Sequence, residues 1–303
     1  MKALVIGYGS IGMRHAHVLG ALGHDVAVVS RRDIDHANHY QTIEFAVQAF
    51  APEYIVVASR TVEHRRDIAE LSRTGFCGKL LIEKPVYDTG SDNPPEGFDT
   101  VKVAFNLRFH PALLRFREIV AVRAVSAVTV YAGSYLPDWR PSSDFRKGYS
   151  AIRAEGGGVL RDLSHELDYV LWLFGPWRRV TAIGGTFGNL GIDSDDVFSV
   201  IMETEKVPSV TLNMNYLDSK VRRDVTALTD KGSVRLDLAA GTVETDDGVE
   251  TFATERNDTY RAQHEAMASG NDAIICGISE GLQVMRLIDA CEHAAGTGSW
   301  VVA

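Results

Sequence analysis

The fold is decided near the amino terminus, where residues 2–12 read KALVIGYGSIG. The apolar run predicts a β-strand over Lys2–Ile6, and a G-x-G-x-x-G pattern follows it at once. Gly7 permits a tight turn, Gly9 lets the backbone approach a pyrophosphate, and Gly12 lets a helix pack closely on the strand. A glycine-rich structural turn is the alternative. We predict a dinucleotide-binding loop made of Gly7, Tyr8, Gly9, Ser10, Ile11 and Gly12.

The first hundred residues alternate short apolar runs with helical segments. Strands are predicted at Lys2–Ile6, Val26–Ser30, Tyr54–Ala58, Lys79–Ile82 and Val101–Phe105, and helices near Ser10, Thr42 and Glu63. Repeated strand–helix–strand units produce a parallel sheet with crossover helices. Tyr87–Phe98 is rich in Gly, Pro and Asp and is predicted to be a loop.

The character of the sequence changes after Phe105. The predicted elements are a helix over Pro111–Val122, a strand over Val125–Tyr135, a polar loop over Pro137–Ala154, a helix from Gly156–Gly158 to about Phe174, mostly strands from Val180 to Val243, and a helical tail over Tyr260–Ala295. Alternating apolar residues in the strands indicate an antiparallel sheet. The predicted fold class is α/β, with an N-terminal Rossmann parallel sheet (1–107) and a C-terminal α+β domain with a largely antiparallel open sheet (108–303).

The charge and the cysteines exclude several classes of partner. The 303 residues carry a formal net charge of −9, so we expect neither nucleic-acid nor membrane binding. Cys77, Cys276 and Cys291 are too scattered for a disulfide framework or a zinc site, and no metal is expected. Because no segment resembles a signal peptide or a membrane span, the expected location is cytoplasmic.

The end of the second predicted strand bears on which dinucleotide binds. An NAD-binding Rossmann unit usually carries Asp or Glu there, which binds the adenosine ribose and repels a 2′-phosphate. Here the strand ends in Ser30, Arg31 and Arg32, whose hydroxyl and guanidinium groups suit a phosphate. We predict that NADP(H) is favoured over NAD(H). The alternatives are a solvated basic turn and a ribose contact by Asp33.

Three further segments indicate a family. Residues 81–85 end a strand in E-K-P, residues 104–111 read AFNLRFHP, and residues 156–168 read GGGVLRDLSHELD. Together with the glycine loop, they resemble the Gfo/Idh/MocA family, whose members include glucose–fructose oxidoreductase and inositol dehydrogenase. The specific part of the resemblance is E-K-P followed by the glycine-rich H-x-x-D helix.

The resemblance implies a role for each matching residue. Lys84 corresponds to the lysine that lies beside the nicotinamide and hydrogen-bonds the reacting hydroxyl, and Glu83 precedes it at the cofactor site. His165 corresponds to the catalytic histidine, and imidazole titrates near neutral pH as a base should. Asp168 corresponds to the acid one helical turn later. A solvated lysine and a structural histidine are the alternatives.

The sequence departs from the family pattern at one catalytic position. The family usually places an Asp four residues before its histidine, whereas Asp162 lies three residues before His165. Residues three or four apart on one helix can both meet, so Asp162 could still polarise His165. We therefore keep Asp162 as a third predicted catalytic residue.

A loop dense in Arg, Asp and aromatic residues precedes the predicted catalytic helix, over residues 135–150. Such a mixture can hold a sugar by hydrogen bonds and ring stacking, or clamp an anionic group. A structural loop braced by Arg–Asp pairs is the alternative. The predicted substrate contacts are Arg108, Trp139, Arg140, Arg146, Tyr149 and Asp168.

Together these features predict an NAD(P)-dependent oxidoreductase that transfers hydride between a nicotinamide cofactor and a sugar, polyol or sugar-derived substrate, with an anionic substrate as one option. A non-catalytic sensor of dinucleotide or sugar on the same fold is the alternative, although a sensor needs neither Lys84 nor His165. An enzyme that keeps its dinucleotide through an internal redox cycle is a third option. The resemblance implies a homodimer or homotetramer.

Overall fold

The computed structural model describes residues 1–90, 93–271 and 273–303. The chain divides into two compact units: residues 1–109 with 255–282, and residues 110–254 with 283–303. The boundary predicted after residue 107 lies two residues before the first division of the chain. Residues 255–282, which the sequence placed in the second domain, belong to the first unit.

The elements are numbered in chain order. The strands are β1 (Lys2–Ile6), β2 (Asp25–Val29), β3 (His39–Tyr40), β4 (Tyr54–Val57), β5 (Lys79–Ile82), β6 (Thr100–Val103), β7 (Val125–Gly133), β8 (Trp177–Gly185), β9 (Val197–Thr204), β10 (Val210–Asn215), β11 (Arg222–Thr229), β12 (Gly232–Asp237), β13 (Thr242–Thr245), β14 (Gly248–Thr251), β15 (Cys276–Gly277) and β16 (Val301–Val302). The helices are α1 (Ser10–Ala21), α2 (Ile43–Phe50), α3 (Thr61–Arg73), α4 (Pro111–Val120), α5 (Val159–Asp162), α6 (Ser164–Phe174), α7 (Asp258–Ser269) and α8 (Ile278–Thr297).

The first unit is built on a sheet with the strand order β15-β6-β5-β4-β1-β2-β3. All its pairings are parallel except that of β15 with β6, so the predicted Rossmann sheet is confirmed. Parallel strands bring their carboxyl ends to one edge of the sheet, which is where open α/β sheets bind ligands. That edge carries Gly7, Ser30, Ser59 and Glu83, which follow β1, β2, β4 and β5.

Helices from distant parts of the sequence cover this sheet. Every residue of β4 is buried, as expected for a parallel strand with helices on both faces. α2 begins after Thr42, whose hydroxyl accepts a hydrogen bond from the backbone N–H of Phe45. α7 packs on α1, and its Met267 joins Leu19 and Tyr54 in one apolar core. This packing explains why residues 255–282 belong to the first unit.

The second unit is built on a sheet with the strand order β14-β13-β12-β11-β7-β10-β9-β8-β16. β7 and β10 pair in parallel and the other neighbours pair antiparallel, which confirms the predicted largely antiparallel sheet. Along β9, Phe198, Val200 and Met202 are buried, whereas Ile201 between them is 49% exposed. One face of the sheet therefore faces the core and the other does not.

Two of the predicted helices are interrupted. The segment from Gly158 to Phe174 consists of α5 and α6, separated at Leu163, where the backbone leaves the helical region at φ −94° and ψ 28°. The predicted helical tail is also two helices, α7 and α8, with β15 between them. Apolar periodicity does not reveal the break at Leu163, because the residues on both sides of it are buried, whereas Gly270 and Asn271, which follow α7, are exposed.

Two smaller points complete the comparison with the sequence. The described part of the predicted loop Tyr87–Phe98 contains no helix or strand; residues 91 and 92, and residue 272 of the predicted tail, lie outside the described residues. Within the described ranges, no helix is both long and apolar enough to cross a membrane.

Candidate active site

The glycine loop has the geometry that a bound dinucleotide requires. Gly7 has φ +93°, and a Cβ there would lie 2.5 Å from the backbone nitrogen of Ser59. A Cβ on Gly12 would collide with the carbonyl oxygen of Gly7, whereas a Cβ on Gly9 would meet nothing within 4 Å. Gly7 and Gly12 thus allow β1 and α1 to approach closely, and Gly9 leaves open space before the start of α1. The residues fit a pyrophosphate at this helix terminus.

A cavity of about 390 Å³ joins this loop to the segment that follows β2. Its lining residues are Tyr8, Gly9, Ser10, Met13, Arg32, Asp33, Ile34 and Asp35. Nη2 of Arg32 donates to the carbonyl oxygen of Tyr8 at 2.7 Å, which ties the two segments together. Asp33 also lines the cavity, so a contact between Asp33 and the adenosine ribose, which the sequence offered as an alternative, is still an alternative.

The hydroxyl and guanidinium groups predicted to bind a 2′-phosphate already have protein partners. Ser30 is buried, and its Oγ accepts a hydrogen bond from the backbone N–H of Arg32 at 3.2 Å. Nη2 of Arg31 donates to Oε1 of Glu63 at 2.7 Å. Partial burial raises the pKa of Glu63, but the hydrogen bond from Arg31 and the charges of Arg31, Arg60 and Arg66 outweigh it, so the net shift is downward.

Lys84 is a partly exposed residue within a buried segment. Leu80 to Glu83 and Pro85 to Tyr87 are buried on either side of it. Oε1 of Glu83 lies 2.7 Å from Nε2 of His15, and Oε2 of Glu83 accepts the backbone N–H of Lys84 at 3.1 Å. The Lys84–Pro85 peptide bond is cis. Both oxygens of the Glu83 carboxylate are thus engaged, and the backbone that presents Lys84 is held at this point.

His165 occupies a similar position in the second unit. It lies in the first turn of α6, where it is partly exposed while Ser164 and the residues from Glu166 to Leu171 are buried. Asp168 is only 2% exposed. Glu166 is completely buried and forms an ion pair with Arg223, at 2.7 Å between Oε1 and Nε. The helix therefore presents His165, and little else of its first two turns, to the surroundings.

Asp162 does not share a helix with His165, so the argument from helical spacing is wrong. Asp162 ends α5, and His165 lies beyond the break at Leu163. Oδ1 of Asp162 accepts a hydrogen bond from the Tyr149 hydroxyl at 2.8 Å, and Oδ2 accepts one from the Tyr216 hydroxyl at 2.6 Å. Burial and the Asp162 charge raise the pKa of both tyrosines well above the usual value. A catalytic role for Asp162 stays a prediction.

The loop before α5 is folded into short 3₁₀ turns. Nε1 of Trp139 donates to Oγ of Ser134 at 2.8 Å, and its ring meets the Tyr216 ring edge to face at 5.3 Å. The Arg140 guanidinium lies 6.0 Å from the ring of Tyr149. The turns are Leu136–Trp139, Phe145–Lys147, Tyr149–Ala151 and Arg153–Glu155.

Two of the three predicted substrate arginines, Arg108 and Arg146, differ in exposure. Arg108 is 2% exposed, and its Nη1 lies 3.1 and 3.2 Å from the two carboxylate oxygens of Glu280, within the first unit. The Arg146 side chain is 59% exposed and 3.8 Å from Asp144. A substrate contact is therefore easier for Arg146 than for Arg108, and both stay predictions.

Sequence reasoning missed several residues that shape these sites. Tyr216 and Asp195 lie far from the motifs, yet Tyr216 holds Asp162, and Oδ2 of Asp195 accepts the backbone N–H of Leu160 at the start of α5. His15 and His264 were missed as well, although they are 249 residues apart and hydrogen-bonded to each other. The one local signal is that His15 lies three residues after Gly12, on α1.

Comparison with known proteins confirms the predicted family resemblance. Residues 113–235 match the family model described as the GFO/IDH/MocA C-terminal domain. The levoglucosan dehydrogenase of Pseudarthrobacter phenanthrenivorans is 27% identical over 146 residues, which cover 45% of this chain and 37% of that protein. The match thus spans less than half of either chain.

Solved structures share the fold over the whole chain. GenD2 from gentamicin A biosynthesis, in complex with NAD, superimposes with a TM-score of 0.81 at 22% identity and covers 100% of this chain and 96% of its own. The WlbA dehydrogenase of Bordetella pertussis, in complex with NADH and UDP-GlcNAcA, has a TM-score of 0.81 at 18% identity and covers 100% and 98%. At these identities the likeness establishes the fold.

Proposed function

We propose that this chain, which carries the C-terminal domain of the GFO/IDH/MocA family over residues 113–235, is an NAD(P)-dependent oxidoreductase acting on the alcohol group of a sugar, polyol or sugar-derived substrate. One observation carries the proposal. Lys84 and His165 are the partly exposed residues of two segments whose flanking residues are buried. A side chain that takes part in the reaction must be reachable by a ligand, and Lys84 and His165 meet this requirement where their flanking residues do not.

The two side chains have complementary roles in this reaction. Oxidation removes a hydride from carbon and a proton from oxygen, and a bound nicotinamide supplies the hydride acceptor. His165 takes the hydroxyl proton, because imidazole is a base near neutral pH. Lys84 has the role that the family resemblance implies: its ammonium donates a hydrogen bond to the reacting hydroxyl and stabilises developing negative charge. In the reducing direction His165 returns the proton.

The cofactor proposal is that NADP(H) is preferred over NAD(H). The strand end offers Ser30 and Arg31 in place of a carboxylate. Around Arg31, three guanidinium groups face two carboxylates: Glu63 contacts Arg31, Arg60 and Arg66, and Arg66 also pairs with Asp67. Asp33 and Asp35, which line the cavity beside Arg32, balance this charge, so the support for a 2′-phosphate is the planar guanidinium of the exposed Arg31 and not a net positive charge.

We propose that the substrate is a sugar or sugar derivative, and the more specific form of this proposal is that the substrate carries an anionic group. The matched relative is named for levoglucosan, and one structure with the same fold holds UDP-GlcNAcA. Arg140 and Arg146, in the loop before α5, would supply the cationic contacts.

A spectrophotometric assay of dinucleotide reduction with neutral and acidic sugars tests the function. Lys84→Met and His165→Asn should each lower kcat by about a hundredfold or more, in line with general acid–base catalysis, and should leave dinucleotide affinity within a few fold. Exposed residues supply the matched controls, Lys220→Met and His293→Asn, which should behave as wild type.

Two outcomes would contradict the proposal. Wild-type turnover in both active-site variants would remove their catalytic roles. Tight dinucleotide binding with no turnover on any sugar, in wild type as in the variants, would instead favour the sensor.

A further inference from the structure

A continuous chain of buried side chains runs beneath the E-K-P segment, within the first unit. The Tyr54 hydroxyl lies 2.9 Å from Nδ1 of His264, and Nε2 of His264 lies 2.8 Å from Nδ1 of His15. Nε2 of His15 lies 2.7 Å from Oε1 of Glu83. Tyr54, His15 and His264 are completely buried, and Glu83 is 8% exposed. These four residues form the Tyr54–Glu83 chain.

The chemistry of the partners fixes the direction of every hydrogen bond in this chain. Among the described residues, the Tyr54 hydroxyl has only Nδ1 of His264 as a hydrogen-bond partner, so it donates there. His264 must then donate from Nε2 to His15, and His15 from Nε2 to Glu83. In this arrangement each imidazole donates from Nε2 and accepts at Nδ1, and Oε1 of Glu83 accepts from His15.

The charged groups around the chain agree with this assignment. Burial is the largest cause that holds the pKa of His264 well below its usual value, which keeps this imidazole uncharged near neutral pH. The Tyr260 ring meets the His15 ring edge to face at 5.4 Å, and the Arg14 guanidinium lies over Tyr260 at 5.2 Å. Burial, followed by the Glu83 charge, raises the pKa of Tyr260 to about 12. Oε1 of Glu83, 2.7 Å from Nε2 of His15, is the acceptor end of the chain.

The chain connects the two motifs that the sequence identified separately. His15 lies on α1, which begins at the glycine loop, and Glu83 directly precedes Lys84. The second oxygen of Glu83 accepts the backbone N–H of Lys84. His264 comes from α7, which packs on α1. The pair of imidazoles therefore fixes the carboxylate that holds the Lys84 backbone.

We propose that His15 and His264 are positioning residues, which hold Glu83, and through it Lys84, in a fixed relation to the glycine loop. The hydrogen bonds of the Tyr54–Glu83 chain do not depend on what the protein does; only their expected effect on turnover rests on the proposed function. A misplacement of a reacting group by about 1 Å can cost roughly a hundredfold in rate, which is why such a support matters.

Nitrogen-15 NMR of the histidine side chains tests the chain directly. His15 and His264 should both be neutral with the proton on Nε2, and Tyr54→Phe should change the His264 resonances most. A protonated imidazole, or a proton on Nδ1 of either residue, would overturn the proposed chain whether or not the protein is an enzyme.

Kinetics and cofactor fluorescence test the positioning. His15→Leu should lower kcat by about tenfold to a hundredfold with little change in the KM for dinucleotide, and His15→Gln, which keeps an N–H donor for Glu83, should lose less. In a Lys84→Met background, His15→Leu should have almost no further effect on kcat. The emission of bound NADPH should shift in His15→Leu in the same direction as in Lys84→Met. His17, exposed on the same helix, gives the control His17→Leu.

The outcomes separate the two proposals. A folded His15→Leu variant with wild-type kcat and wild-type NADPH emission would overturn the positioning role, as would additive effects of His15→Leu and Lys84→Met. If wild type shows no turnover but the emission shift persists, the proposed function fails and the positioning of Lys84 stands. If His15→Leu does not fold, the same kinetic and fluorescence measurements are made on Tyr54→Phe, which removes only the hydroxyl oxygen.

Discussion

At the scale of single residues, the structure changes the expected cost of ligand binding. Arg31 forms an ion pair with Glu63, and Arg108 forms one with Glu280, so each guanidinium already has a carboxylate partner in the protein. A ligand phosphate must compete with an internal partner for Arg31. The Arg31 side chain is 65% exposed, however, and exposed ion pairs are weak, so this competition costs little.

The cofactor preference can be tested at this scale. Arg31→Ala should weaken NADPH binding and barely affect NADH, and Ser30→Asp should reverse the preference by placing negative charge against the 2′-phosphate. Glu63→Gln should tighten NADPH binding by up to about fivefold, because it frees Arg31 from a pair worth about 0.2–1 kcal/mol. Titration with both dinucleotides measures this, with Glu44→Gln on the exposed face of α2 as the control. Equal affinities in wild type, or tighter NADH, would refute the NADP assignment.

The exposed loop arginines make a second prediction. Arg140→Ala and Arg146→Ala should raise KM more for an acidic sugar than for a neutral polyol, because only the acidic substrate loses a charge-assisted hydrogen bond. The effect should be about tenfold or more per contact, corresponding to roughly 1.5–3 kcal/mol. KM values for matched acidic and neutral sugars provide the measurement. Equal changes in KM for the acidic and the neutral sugar, together with a lower melting temperature, would indicate that the loop has a structural role instead.

At the scale of elements, close contacts explain two of the three glycines before α5. A Cβ on Gly157 would lie 2.7 Å from the carbonyl oxygen of Ser150 and 2.8 Å from that of Ile152. Gly158 has φ +130°, and a Cβ there would lie 2.8 Å from Cγ of Asp195. The glycines thus let the arginine-rich loop and the strand region near Asp195 approach the start of α5. The sequence associates the GGG…H motif with catalysis, but Gly157 and Gly158 within it are required by packing.

This account predicts opposite effects for two Gly→Ala substitutions. Gly157→Ala should lower the free energy of unfolding by about 1–3 kcal/mol, because the new methyl group overpacks against backbone that cannot rotate away. Gly20→Ala, in α1 with nothing within 4 Å of the new Cβ, should raise it by about 0.5–1 kcal/mol. Urea unfolding of both variants measures the two changes. A neutral Gly157→Ala would show that the loop can move to accommodate the methyl group.

At the scale of the whole molecule, the first unit is assembled from two stretches separated by about half the chain. Residues 255–282 supply α7 and β15 to a sheet formed by residues 1–109. Met267 and His264 are contributed by α7, so the apolar core and the Tyr54–Glu83 chain both need this return of the chain. The first unit is therefore not a continuous amino-terminal segment.

The buried histidines of this unit predict how stability depends on pH. Burial lowers the pKa of His64 and of His264 in the folded protein, whereas an unfolded imidazole has a pKa near 6.5. Below that pH the unfolded chain binds more protons than the folded chain, so the free energy of unfolding falls as the pH falls. The melting temperature should decrease from about pH 7 to about pH 5.

A substitution isolates the contribution of one histidine to this slope. His264→Gln should make the decrease in melting temperature with pH shallower, even if its melting temperature at neutral pH is lower. The exposed His17→Gln should keep the wild-type slope. An unchanged slope in His264→Gln would mean that His264 takes up a proton in the folded state as readily as in the unfolded chain.

The sequence by itself determined the features that depend on local pattern. Alternating strands and helices predicted the Rossmann sheet, the glycines at 7, 9 and 12 predicted the turn into α1, and the E-K-P and GGG…H segments predicted a resemblance to the family whose C-terminal domain model matches residues 113–235. Each of these follows from neighbouring residues, through hydrophobic periodicity or steric limits on the backbone. The identities of Lys84 and His165 as candidate catalytic residues also came from such short motifs.

Only the tertiary structure decided which distant side chains meet. The break at Leu163 separates Asp162 from His165, and Asp162 is held instead by Tyr149 and Tyr216. The return of residues 255–282 to the first unit brings His264 to His15, across 249 positions. Hydrogen bonds between buried polar groups carry no periodic signal along the chain, because each group needs only one partner in space, and the fold alone determines which residue that partner is.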